Sequence, residues 1–156
     1  MSTKAVLCTL LCAVSSLGAA GEARAEILSA REAALLERIN TVRSQHLLPA
    51  LAVSPPLVRA ARAHSRAMLR QGFFAHGDFA GRLRAYGVRF PLLAENLAWG
   101  TGSRATARSL VTAWLASPGH RANLLHPRLR MIGIGAPVGT FSSFPGTAMV
   151  TADFGG

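Results

Sequence analysis

Both cysteines of this chain, Cys8 and Cys12, fall in an apolar leader, and that placement governs how the remainder must fold. Lys4 precedes an apolar run from Ala5 to Leu17, and small residues then lead to Ala23-Arg24-Ala25. This is the pattern of a secretory signal peptide cleaved after Ala25. The run is shorter than the roughly 20 residues a membrane-spanning helix needs. The expectation is therefore export, to a secreted or periplasmic location, with residues 1–25 removed and no transmembrane anchor remaining. Neither cysteine sits in a lipoprotein cleavage pattern. The mature chain, residues 26–156, then has no disulfide, no thiol nucleophile and no thiolate metal site. About 130 residues must hold together by packing alone, which is enough for one domain.

Five segments carry helical signals. Residues 30–46 place Leu35, Leu36, Ile39 and Val42 on one side and end before Leu48-Pro49. Ser54-Pro55-Pro56 starts a second helix that runs to about Gln71, where Gly72 stops it. A short helix fits residues 79–86, closed by Gly87, and Ser103 can cap another through Leu115 that buries Ala107, Leu110, Val111 and Trp114. In the stretch SPGHRANLL, residues 117–125, Ser117 is suited to the N-cap and Pro118 to the first helical position. His120 then lies in the first turn, where the exposed N–H groups and the helix dipole disfavour imidazolium and keep the ring neutral.

Elsewhere the period shortens to two. Glu95, Leu97 and Trp99 alternate with Ala94, Asn96 and Ala98, and Met131–Ala136 and Thr147–Phe154 form two more strands around the Gly/Ser/Pro-rich loop Pro137–Gly146. Three strands and several helices indicate an α+β fold with a helix-covered, largely antiparallel sheet.

Of 17 basic and 7 acidic residues, Lys4, Arg24 and Glu22 belong to the leader, which leaves 15 arginines against 6 acids, a net of +9 for residues 26–156. Such a charge attracts nucleic acid, anionic lipid or an acidic envelope polymer. Arg59, Arg62, Arg66 and Arg70, however, recur at helical spacing opposite Leu57, Ala61, Met68 and Leu69, as on the solvated face of an amphipathic helix. No basic cluster is interleaved with stacking aromatics, so no nucleic-acid partner is expected.

Five motifs occur in a recognisable order: Phe73-Phe74-Ala75-His76; Ala94-Glu95-Asn96-Leu97-Ala98-Trp99-Gly100; Trp114 through Leu125; Ile132-Gly133-Ile134-Gly135; and Asp153-Phe154-Gly155. Together they resemble the bacterial branch of the CAP superfamily, the secreted proteins related to cysteine-rich secretory proteins, antigen 5 and pathogenesis-related 1. The resemblance covers roughly residues 35–155 and implies a CAP (SCP-like) domain over 26–156, folded as a three-layer α-β-α sandwich. It further implies a central cleft holding two histidines and acidic residues, which map onto His76, Glu95 and His120. Two positions depart from the family pattern. Ala94 stands where glycine usually precedes the first glutamate, and no second glutamate is evident near Ser117, which leaves Asp153 at a strand end as the late acidic group.

Two neutral imidazoles and a carboxylate can hold a divalent metal such as zinc, work as a base and its orienting partner, or form a hydrogen-bonded binding cluster. No H-E-x-x-H motif, no G-x-S-x-G elbow and no surviving cysteine points to a particular hydrolase. The leading reading is a non-catalytic binding or interaction module for lipid or a cell-envelope component. The alternative is a metal-assisted hydrolase using the same cleft, with His76, His120 and Glu95 as ligands. Outside the cleft, His64 reads as a core histidine, His46 as a helix-end residue and His126 as part of a turn before Pro127. Trp99 and Trp114 read as core anchors. Phe141 and Phe144 have less obvious burial, and either fold back onto the sheet or touch lipid or a partner.

Overall fold

The computed structural model describes residues 28–156, so the signal peptide expected over 1–25 lies outside the described residues. Helix α1 spans Ala30–Gln45 and opens with a capping box, in which Ser29 accepts from the Glu32 N–H and the Glu32 carboxylate accepts from the Ser29 N–H. Its stripe of Leu35, Leu36, Ile39 and Val42 is buried as the periodicity requires. Strand β1 (Ala52–Val53) is not apparent in the sequence, because two residues before a double proline carry no periodicity. Helix α2 follows at Pro55–Gln71, and Gly72 ends it in the left-handed conformation (φ 68°). Ser54 holds the N-cap position without a side-chain bond, and its backbone N–H continues the strand pairing onto the Ile132 carbonyl instead.

The remaining elements are α3 (Phe79–Ala85), β2 (Leu93–Gly100), a 3-10 turn (Gly102–Ala105), α4 (Ala107–Ala116), α5 (Pro118–Leu124), β3 (Met131–Gly135), β4 (Val138–Phe141) and β5 (Phe144–Gly155). Thr106, not Ser103, caps α4: its hydroxyl accepts from the Ser109 N–H, and the Ser103 carbonyl accepts from both hydroxyls. The loop expected over Pro137–Gly146 is a hairpin. Val138, Thr140, Phe141 and Phe144 suit strands, and the two-residue turn Ser142-Ser143 closes with Ser142 at φ 54°, a conformation that serine does not announce in sequence.

The strands form one mixed sheet in the order β1-β3-β5-β2, with β4 paired to β5 beyond β3. Only β1 and β3 run parallel; the other pairs are antiparallel, as expected of the central sheet. Alternation in Ile132-Gly133-Ile134-Gly135 builds the layers. The isoleucines face a core shared with α1, α4, Trp114 and Phe154. The glycines face α2, where a Cβ on Gly133 would overlap the backbone of Leu57 and Val58, and one on Gly135 the backbone of Ala61 and Arg62. Ser65 of α2 completes the seam, donating to the Gly135 carbonyl at 3.0 Å and to the Thr151 hydroxyl at 2.9 Å. The result is the three-layer α-β-α sandwich that the motif order implies.

Two arginines are not the solvated residues their type suggests. Arg62 grips the buried Glu32 with two nitrogens, Nε to Oε1 at 2.8 Å and Nη2 to Oε2 at 2.5 Å. Arg43, fully buried, donates to the carbonyls of Pro49, Leu124, His126 and Leu129 and so ties α1 to the segment entering β3.

Candidate functional site

Strand β2 closes one end of the sheet, and its alternation sends Glu95, Leu97 and Trp99 to the α2 side and Asn96 to the α5 side. The three residues expected in the cleft meet this strand from both layers. On the α2 side, the His76 Nδ1–H donates to Glu95 Oε1 at 2.7 Å. The carboxylate is buried, whereas the His76 side chain is 56% exposed. On the other side, the Asn96 amide donates to the His120 carbonyl at 3.0 Å, and Asn123 donates to Asn96 Oδ1 at 2.9 Å and to the Glu95 carbonyl at 3.2 Å. Asn96 and Asn123 thereby fasten α5, and His120 with it, to the strand that carries Glu95.

Arg82, which the motif reading passes over, organises the α2 side. Asp78 caps α3 by accepting from the Gly81 N–H, and one turn on, the Arg82 guanidinium donates to Glu95 Oε2 and, at 3.0 Å, to the His76 carbonyl. It also lies 3.9 Å from Asp153 Oδ1. One cation thus joins the loop bearing His76 to the floor of the site. In sequence, an arginine in a short helix looks like surface charge; only the strand opposite it reveals its role.

Asp153 is the direct cross-strand partner of Glu95 and is fully buried. Burial first, and then the like charge of Glu95, push its carboxyl well above the usual range. Glu95 is raised to about 7, burial outweighing Arg82. Among the described residues, neither Asp153 oxygen has a hydrogen-bond partner, so the buried acid is favoured in its neutral form beside Glu95. The late acidic group therefore lies beneath Glu95 and does not line the cleft.

The His120 ring is held below the ordinary imidazole range, as the sequence leads one to expect, but the causes are burial and then the charge of His76. The N-terminus of a seven-residue helix is not among them, and Ser117 makes no side-chain cap bond there. His64 is the core histidine anticipated. Its Nε2–H donates to the Ala75 carbonyl at 2.9 Å, next to His76, and burial pushes its pKa down to about 4. His46 caps α1 with Nδ1 against the Val42 carbonyl, and His126 Nδ1 accepts from the Arg128 N–H in the turn.

Among the described residues, no three His, Cys, Asp or Glu side chains form a group that can hold a metal ion. The local reason is Arg82: its guanidinium and the His76 N–H engage both oxygens of Glu95, and it supplies the positive charge a metal would bring. As arranged, His76, Glu95 and His120 do not fit zinc.

Beyond His120 and Ser117 a groove of about 470 Å³ runs over Leu97, Trp99 and Trp114 to Phe74. Trp114 is a core anchor whose indole N–H donates to the Leu97 carbonyl. Trp99 is not; it is 38% exposed.

The chain belongs to the cysteine-rich secretory protein family, the CAP domain, whose family model matches residues 36–153. No cysteine lies in the matched segment. Among relatives, YkwD of Bacillus subtilis is 32% identical over 113 residues, covering 69% of this chain and 43% of that protein. The membrane protein YlbC of the same organism is 30% identical, covering 70% and 32%. The chain thus spans less than half the length of either. An extracellular protein containing an SCP domain from Bacillus anthracis superposes with a TM-score of 0.65 at 29% identity, covering 77% of this chain and 38% of that one. An outer surface protein of Borrelia burgdorferi shares the fold, with a TM-score of 0.66 at 23% identity, covering 78% and 88%. Among the described residues no helix is long and apolar enough to cross a membrane.

Proposed function

We propose that the protein is an exported binding module that takes an amphipathic ligand along the edge of β2. The ligand's polar end meets His76 and His120, and its apolar body lies against Trp99 and Trp114. The observation that carries this reading is the continuity of the groove, which starts at Ser117 and His120 and continues over Leu97 to the two tryptophans. Ligand sites commonly combine an apolar wall with a few fixed polar groups. Here Glu95 fixes one imidazole and the Asn96–Asn123 pair fixes the helix carrying the other. A lipid or another envelope component has the matching division of chemistry. The surface and extracellular character of the similar proteins supports a secreted or periplasmic setting.

The competing reading, a metal-assisted hydrolase using His76, Glu95 and His120, requires Glu95 to release Arg82. Titration calorimetry separates the two. Dodecanoate binds the wild type, about tenfold more weakly to His120→Ala, and not to Ala113→Trp, which fills the groove. No binding of dodecanoate at millimolar concentration would overturn the module reading. Zinc binding that disappears in His76→Ala, His120→Ala and Glu95→Gln, together with hydrolysis that requires the metal, would establish the alternative.

A further inference from the structure

The β4–β5 hairpin carries a second, separate accumulation of apolar surface. Phe141 and Phe144 flank its turn and pack their rings against Trp99, with centroids 5.3 and 5.7 Å away and ring planes inclined at 57° and 35°. Phe144 is 49% exposed and Val138 52%. Beside the hairpin, between β4 and the end of α2, lies a groove of about 420 Å³ with Leu69, Pro137 and Val138 in its walls and Arg66 and Arg70 at its rim. Both arginines are exposed, and no acidic residue lines the groove. The acids of the described residues are engaged or elsewhere: Arg62 holds Glu32, Glu95 and Asp153 are in the site, and Glu37 and Asp78 belong to α1 and the start of α3.

We propose that this face docks the protein on the surface of an anionic lipid bilayer, with Phe144 and Val138 entering the headgroup boundary and Arg66 and Arg70 binding lipid phosphate. An exposed phenylalanine beside the turn and an apolar groove rimmed by two arginines along β4 of the same hairpin match the two layers of a membrane interface, the apolar margin and the charged headgroups. Guanidinium pairs with phosphate through two parallel N–H bonds. Both phenylalanine rings are braced against Trp99 at an incline. A net of +9 over residues 26–156 adds long-range attraction to an anionic surface. This surface differs from the cleft in every residue except Trp99, which borders both, so the docking proposal does not rest on the ligand reading.

The test is co-sedimentation of the exported protein with vesicles of phosphatidylglycerol mixed into phosphatidylcholine, against vesicles of phosphatidylcholine alone. Binding is expected only to the anionic vesicles and weakens with salt. The double variant Arg66→Gln/Arg70→Gln loses about 25-fold in affinity, about fivefold per arginine. Phe144→Ser loses about tenfold. Trp99 emission moves to the blue on binding while the buried Trp114 stays constant, and Trp99→Phe abolishes the shift. His120→Ala, a change confined to the cleft, leaves vesicle affinity in place. Each of these changes is at the surface or in a groove, and thermal unfolding confirms that the variants fold. Equal binding to neutral and anionic vesicles overturns the proposal, as does unchanged binding by the folded variants. Binding to soluble polygalacturonate as tight as to vesicles and indifferent to Phe144→Ser also overturns it, in favour of an acidic polymer.

Discussion

Replacing Asp153 by asparagine tests whether a fully buried acid is held neutral beneath Glu95. Asn has the shape of the protonated acid and carries no charge at any pH, so packing changes little. What changes is the pH dependence. The Asp153 carboxyl is raised well above its ordinary value in the folded protein by burial and by Glu95. The folded state therefore binds a proton that the unfolded chain releases near pH 4, and wild-type stability falls as pH rises above that point. Each pH unit over which the acid stays protonated only in the folded state removes about 1.4 kcal/mol. Asp153→Asn escapes this loss. Urea unfolding from pH 4 to 6 is thus expected to show the variant gaining on the wild type with a slope approaching about 1.4 kcal/mol per unit. Any difference in hydrogen-bond strength adds an offset that does not vary with pH. A stability difference that is flat across this range, or one that turns against the variant as pH rises, would mean that Asp153 is ionised and paired with Arg82, and would refute the reasoning.

His64, depressed to about 4 by burial, has the opposite sign. It stabilises the fold above the ordinary imidazole value, and that contribution is lost as pH falls toward 4, so His64→Gln should flatten the acid limb of the stability profile measured by urea unfolding. Gly133→Ala puts a methyl into the backbone of α2 and is expected to destabilise by about 3 kcal/mol, seen as a drop of several degrees in the unfolding midpoint; an unchanged midpoint would show that α2 does not rest on β3. Arg43→Met leaves four carbonyls without their donor and should cost about 3–5 kcal/mol by the same assay.

Much of the architecture is legible where one physical requirement controls a segment. The stripe in α1, the Pro55 start and Gly72 stop of α2, and the isoleucine–glycine alternation of β3 each have a local cause, so periodicity finds them. The hairpin around Ser142-Ser143 is hidden because its turn lacks the Asn-Gly or Asp-Gly that would mark it, and glycine, serine and proline nearby read as loop. Trp99 sits in a pattern identical to a buried strand, but Phe141 and Phe144 cover it only in part, and only the packed layers decide that. In the site, His76 and Glu95 lie 19 positions apart and form a hydrogen-bonded pair, while His120 reaches the same strand through Asn96 and Asn123. Arg82 and the depth of Asp153 are not legible, since both depend on strand register: Asp153 is opposite Glu95 only because β5 pairs β2 in that register. Arg43 likewise looks like surface charge until the carbonyls around it are in place.

The most direct test of a ligand-binding cleft along β2 is a two-dimensional NMR titration of the exported protein with dodecanoate, following backbone amides, both indole N–H groups and the imidazoles. The account predicts concentration-dependent shifts in residues 97–99 and 113–120, in the Trp99 indole and in the His76 and His120 rings, with α1 and β1 silent. Shifts absent throughout, or confined to surfaces away from β2, would contradict it.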